Sequence, residues 1–220
     1  MTAAALRREK DTGMRSRVLT FAMALSGLLM LASTLVTEVI LALQGRFAEA
    51  IPMHLCSIAS IAAMFVSIGA RGSALDFLWY LGMPGATLAL LFPAPAISRW
   101  QALFNASYML THALILIIPA LAMLGGAWPR RGRALRMMLL LQVIAVTAGM
   151  INRALGTDFL FLSAPPVGTP LVSVYRQGYA AYVLTLEGLM FALVLLMQAV
   201  RKRVGPEQNA RPCDARHGGA

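Results

Sequence analysis

The stretch IPMHLCSIASIAAMFVSIGA, residues 51–70, decides how this chain is read. Its length, at 1.5 Å of rise per residue, reaches about 30 Å, the thickness of the hydrocarbon layer of a bilayer. It opens with His54 and Cys56, so one segment combines a membrane-crossing length with groups able to do chemistry. Pro52 suits the first turn of a helix there, because its missing N–H needs no partner within that turn.

Further apolar runs of similar length lie on both sides, at 18–43, 74–92, 101–124, 134–155 and 179–200. Hydrophobic residues make up 59% of the chain, charged residues 13%, and mean hydropathy is +0.70, values that exclude a hydrated surface around a single core. The predicted fold is all-α, a polytopic membrane protein with a bundle of six transmembrane helices over 18–200. A basic segment, 1–17, precedes it and a disordered basic tail, 201–220, follows. Residues 1–17 look like the charged start of a secretory signal, but the run 18–43 is too long for a signal core and lacks a clear cleavage site, so it is read as retained. The expected location is the cell membrane, multi-pass, with membrane lipids as partners.

The net charge of +10 raises nucleic acid as a partner. The basic residues, however, do not gather on one face; they sit between and beyond the apolar runs, and no nucleic-acid binding is expected. Fifteen of the 19 lie on one side of the bundle: five before residue 18, Arg71, then Arg130, Arg131, Arg133 and Arg136, and five beyond residue 200. Arg46, Arg99, Arg153 and Arg176 lie on the other. Basic residues accumulate on the cytoplasmic side, so both termini are expected there, which requires an even number of spans. Cys56 and Cys213 then face opposite sides and cannot pair.

The polar residues inside the runs are the candidates for function. Glu38 lies near the outer end of the first helix, His54 and Cys56 at the outer start of the second, and Asn152 near the outer end of the fifth. His112 and Glu187 lie deeper, and Asn105, Tyr108 and His112 recur at i, i+3 and i+7 on one face. A cysteine in apolar surroundings is inert unless a base or a positive charge helps to form the thiolate, and His112 is the candidate base. The plainer readings are a small buried side chain for Cys56 and an interhelical hydrogen bond for His112. His54 and Cys56 are about 200° apart around a regular helix, which argues against a metal half-site, and neither metal nor cofactor is expected. Cys56, Ser60, Ala63 and Ser67 form a small-residue stripe that permits close helix approach. Gly82-Met83-Pro84-Gly85 should kink or break the third helix and border a cavity. Trp79, Trp100 and Trp128 read as anchors at the membrane interface. The long connection 156–178, with its aromatic residues and prolines, is expected to lie over the bundle as a cap.

IPMHLCS at 51–57, WYLGMPGATLALLFP at 79–93, YMLTHALIL at 108–116 and NRALGTDFLFLSAPP at 152–166 resemble the YwaF-like family of bacterial integral membrane proteins. The likeness extends from about Glu38 to Glu187, and the His-Leu-Cys motif is its most specific part. Eukaryotic relatives of that family include a membrane acyltransferase that builds ether phospholipids through a cysteine and a histidine, roles the resemblance places on Cys56 and His112. It implies attack of a thiolate on an acyl ester and transfer to a lysophospholipid or to water. Two positions depart from the family pattern: Ala94-Pro95 stands where an aspartate follows the third-helix proline, and Asp158-Phe159 stands where an asparagine-tyrosine pair is usual.

Three functions follow from these readings. The first is a lipid acyltransferase or hydrolase with Cys56 and His112 as catalytic residues and His54, Glu38, Asn105, Tyr108, Asn152 and Glu187 in binding or supporting places. The second is a small transporter or ligand-binding membrane protein in which Glu38, His112 and Glu187 line a protonatable path. The third is a structural or sensory scaffold.

Overall fold

The computed structural model describes residues 3–93 and 100–204, the side chains of 3–12 and 15 excepted. Arg99, Cys213, the Ala94-Pro95 pair and the tail from 205 lie outside the described residues. Among those described, the chain is all helix and turn: α1 (Ala3–Leu43), α2 (Leu55–Ser67), α3 (Ser73–Phe77), α4 (Met83–Leu91), α5 (Gln101–Leu124), α6 (Ala134–Leu155), α7 (Leu171–Tyr175) and α8 (Tyr179–Val204). A π-helical turn, Leu78–Gly82, joins α3 to α4, so residues 73–91 form one span, and a 3₁₀ turn, Phe159–Phe161, follows α6.

Five helical stretches are long and apolar enough to cross a membrane, and α2 is a shorter apolar sixth. The exposed Phe21, Leu28, Leu139, Val143, Leu184 and Leu196 give the bundle an apolar outer face that would contact lipid. The span 73–91 is the axis. Of its apolar window 56% is buried, against 6% for α8, and its π turn touches α2, α5, α6 and α8. α1 packs on α5 and α2 at one side, while α6 and α8 close the other.

Several boundaries differ from those the sequence suggests. α1 continues back through the basic segment to Ala3. α2 starts at Leu55 rather than Ile51: the Met53 N–H turns back to the Ile51 carbonyl at 2.7 Å, and His54 is extended, at φ −69° and ψ 146°. Its 13 residues span about 20 Å, less than the hydrocarbon layer. Pro84 does not break its helix. The proline ring would press on the carbonyl four residues back, and the chain widens there instead: the Met83 N–H bonds the Leu78 carbonyl, five residues behind, and helix resumes through Pro84. Trp79 is no interfacial anchor, since it is buried in the axis with Nε1 donating to the Met197 carbonyl at 3.1 Å.

At one end of the axis Asp76, fully buried, pairs with Arg130: Oδ1 accepts the backbone N–H and Oδ2 accepts Nε, each at 2.7 Å, and Nη2 stands 2.7 Å from Oδ2 as an ion-pair contact while donating to Ser73 Oγ at 3.1 Å. Tyr80 bonds Gln198 Oε1 at 2.5 Å and reaches the Arg130 carbonyl at 3.0 Å. The α5–α6 connection is thereby tied to both the axis and α8.

The small-residue stripe on α2 does bring helices together. Ser60 and Ala63 are buried, and Ser67 lies against Gly27 of α1, where an added Cβ would run into Ser67 Oγ and come within 2.8 Å of Ser67 Cβ. Gly27→Ala is therefore expected to lower the thermal midpoint of the detergent-solubilised protein by the equivalent of about 1–3 kcal/mol, with Ser67→Gly restoring part of it. A midpoint unchanged by Gly27→Ala would mean that α1 and α2 do not meet there.

Candidate functional site

α2 and α5 run side by side in the same direction. Their C-terminal ends line one groove, through Val66–Gly69 on α2 and Leu121–Gly125 on α5, and one turn of each meets the axis at Gly82. A Cβ built on Gly82 would lie 3.5 Å from Ala59 Cβ and 3.4 Å from Ile115 Cγ2, so those two residues are level across the α2–α5 seam. Cys56 precedes Ala59 by three residues and His112 precedes Ile115 by three. Each lies one helical turn further on, about 4.5 Å, and near the same face as the residue it precedes. Cys56 and His112 thus lie at about one level on adjacent helices, near the Gly82–Gly85 segment, whose second glycine would meet Leu55 Cδ2 if it carried a Cβ.

His112 is buried, with Nδ1 2.8 Å from the Tyr108 carbonyl oxygen one turn back. A carbonyl only accepts, so Nδ1 carries the hydrogen, and Nε2 is the nitrogen left to act as a base. The Tyr108 ring lies 4.1 Å from the imidazole, and its hydroxyl donates to the Ala89 carbonyl of α4 at 3.2 Å. Tyr108 therefore holds the imidazole in plane and tautomer. Cys56 is half-buried among the apolar residues that pack on the core, and its own carbonyl accepts from Ser60 Oγ at 2.8 Å.

Other expected members of the site lie elsewhere. Asn105 is exposed; the same helix turns Ser107 inward instead. Ser107 and Thr111 meet Thr37 and Ser33 of α1, with Thr37 Oγ1 and Ser107 Oγ 2.8 Å apart and Thr111 Oγ1 donating to Ser33 Oγ at 2.9 Å. The i, i+4 spacing of Ser107 and Thr111 is the sequence signal for this polar seam. Glu187 accepts from Gln142 Nε2 at 2.6 Å across the α6–α8 seam, so it holds two helices together rather than facing the thiol. Glu38, half-buried on α1, differs from these, since its charge acts on the Cys56 thiol. Among the described residues no three His, Cys, Asp or Glu side chains converge to hold a metal.

Asn152 and His54 hold the cap. Asn152, buried at the end of α6, donates to the Phe159 carbonyl at 3.0 Å and accepts the Phe159 N–H at 2.7 Å and Thr157 Oγ1 at 3.0 Å. Phe159 meets the His54 ring edge to face at 5.0 Å, and Phe161 lies 5.9 Å from the same ring. Tyr182 donates to the Phe161 carbonyl, Tyr179 to that of Leu162 at 3.0 Å, and Asp158 Oδ1 accepts the Ser163 N–H at 2.8 Å. These ties force Leu160 and Phe161 to φ of 60° and 54°, a region that bulky residues rarely adopt. The segment after α6 is therefore clamped over the start of α2, two residues from Cys56. Burial lowers the His54 imidazole below its ordinary value, against the opposing pull of the Asp158 and Glu49 carboxylates.

A family model described as the TMEM164 family matches residues 1–198. No curated protein and no solved structure matches the chain.

Asn152→Ala strands the buried Phe159 N–H at a cost of about 1–3 kcal/mol, and amide hydrogen exchange over 157–163 is expected to speed up accordingly while α5 keeps its protection. His54 gives the same segment a pH dependence. Its folded value lies below the ordinary 6.5, so the contribution of His54 to the docking is fully present above 6.5 and is lost as pH falls through the folded value. Exchange over 157–163, corrected for its intrinsic rate, should rise on acidification in the parent and stay flat in His54→Phe; equal profiles would sever the cap from His54.

Proposed function

Since the chain belongs to the TMEM164 family, we propose that it is a lipid acyltransferase or hydrolase that works through Cys56 and His112. The observation that supports this reading is the Ala59–Gly82–Ile115 contact, from which helical rise puts Cys56 and His112 at about a common level one turn away. The Nδ1 contact with the Tyr108 carbonyl leaves Nε2 as the acceptor a general base needs, and the resemblance to YwaF-like proteins assigns the same pair.

In this mechanism Nε2 of His112 takes the thiol proton as Cys56 Sγ attacks the carbonyl carbon of an acyl ester. The C–S bond forms, the ester C–O bond breaks, and the leaving oxygen takes the proton from His112. A lysophospholipid hydroxyl or a water then gives its proton to Nε2, attacks the thioester and releases the thiol. The apolar walls suit acyl chains, and the clamped segment 157–163 restricts water at the mouth. The chain crosses the cell membrane six times, with α2 as a short span that begins after His54, and both termini cytoplasmic, as the basic residues of the α5–α6 connection and the end of α8 support. The pair then opens toward the outer leaflet.

The test is acyl exchange between a phospholipid and a lysophospholipid in vesicles holding the purified protein. Cys56→Ala should abolish exchange and labelling by a thiol-directed acyl probe, and His112→Ala should slow exchange by about 10²–10⁴-fold. Exchange that persists in Cys56→Ala at the parent rate removes the thiol from the mechanism.

A further inference from the structure

Away from the thiol, the last turn of α8 meets the α5–α6 connection around a second, unexplained group. Arg201 is fully buried. Its Nε donates to the Pro129 carbonyl at 2.6 Å, and its Cζ lies 5.3 Å from the centre of the Trp128 ring. Both terminal nitrogens, Nη1 and Nη2, are buried without a hydrogen-bond partner among the described residues. A guanidinium has five N–H donors and does not lose its charge, so four donors on a desolvated cation are left without an acceptor. Leaving such a group uncompensated costs several kcal/mol per ion, by rough estimate.

The nearby carboxylate, Asp76, pairs with Arg130 and makes no hydrogen bond to either terminal nitrogen of Arg201. A second cation stands close by instead: Arg131 Nη2 donates to the carbonyl of Lys202, the residue after Arg201. Position along α8 gives the depth. The helix has 26 residues, about 39 Å, which exceeds the hydrocarbon layer, and Arg201 is three residues from its end, followed by Lys202 and Arg203. That is the level of lipid headgroups, on the side where basic residues accumulate.

We propose that Arg201 is an anion site for a phosphate group, the headgroup phosphate of an anionic phospholipid or phosphate free in solution. The planar fork of Nη1 and Nη2 matches two phosphate oxygens. Pro129 and Trp128 hold the fork in place, and the half-buried Arg131, bonded to the Lys202 carbonyl, adds a second positive charge beside it. Basic pockets between helices at headgroup depth bind anionic lipid by the same electrostatics. The site does not depend on the chemistry of Cys56 and His112.

The full chain, reconstituted in phosphatidylcholine vesicles containing a minor share of phosphatidylglycerol and then extracted in mild detergent, should retain phosphatidylglycerol well above its share. Arg201→Gln should reduce that retention about tenfold, the loss expected for a charged hydrogen-bonding group, while Arg203→Gln, on the exposed neighbouring position, should leave it within twofold. Inorganic phosphate is the second arm. Binding of labelled phosphate to the parent in pure phosphatidylcholine, lost in Arg201→Gln, assigns the site to the free anion; its absence beside lipid retention assigns the site to the headgroup. Should Arg201→Gln fail to fold, Arg131→Gln takes its place with a loss of the same sign. Retention in the parent no greater than the vesicle share, together with no phosphate binding, overturns the proposal, as does equal loss in Arg203→Gln.

Discussion

A buried carboxylate needs a fixed cation beside it, and at the base of this bundle that requirement is met by Asp76 and Arg130. Asp76 sits in the first turn of the axial span, Arg130 in the connection between α5 and α6, and the two hydrogen bonds and ion pair between them leave little freedom in how those elements meet. Removing either partner would strand a charge in a medium of low polarity, which costs far more than the pair itself contributes. Tyr80 and Trp79, one turn further along the same span, extend the tie to α8 through Gln198 and the Met197 carbonyl. The axial helix therefore has a defined rotation about its long axis, and that rotation turns Gly82 toward α2 and α5.

From that orientation the rest of the site follows. Gly82 receives Ala59 and Ile115, and the parallel course of the two helices carries their level relation one turn on, to Cys56 and His112. The π turn allows the axial span to pass Pro84 without a break, so Gly85 and Ala89 continue along the same seam and Ala89 accepts the hydroxyl of Tyr108. A wide turn at a functional wall is a recurrent use of π geometry, because it lets one helix change phase without losing its hydrogen bonds.

The cap has the opposite character. Its two residues at positive φ are a local cost of about 1–3 kcal/mol each, sustained by Asn152, Tyr179, Tyr182 and the His54 ring. Two separate helices and the start of α2 thus hold one short segment in a conformation that it would not keep alone. The arrangement couples the end of α6 and the beginning of α8 to the entrance of α2.

The sequence alone determined the class of the protein and the limits of most of its helices. Runs of twenty or so apolar residues separated by basic turns have one physical solution, and α5 and α6 lie where the periodicity places them. It also singled out Cys56, His112, Asn152 and His54, since polar groups in apolar helices are few. What it left undecided were partners, because a helix pattern fixes which face is polar but not which helix turns toward it. Hence Glu187 met Gln142, Asp76 met Arg130, Trp79 went inward, and Asn105 gave way to Ser107. Only the packing of whole helices, decided by small residues at Gly27, Ser67 and Gly82 and by one buried ion pair, set those meetings, because close approach and charge pairing depend on residues far apart in the chain.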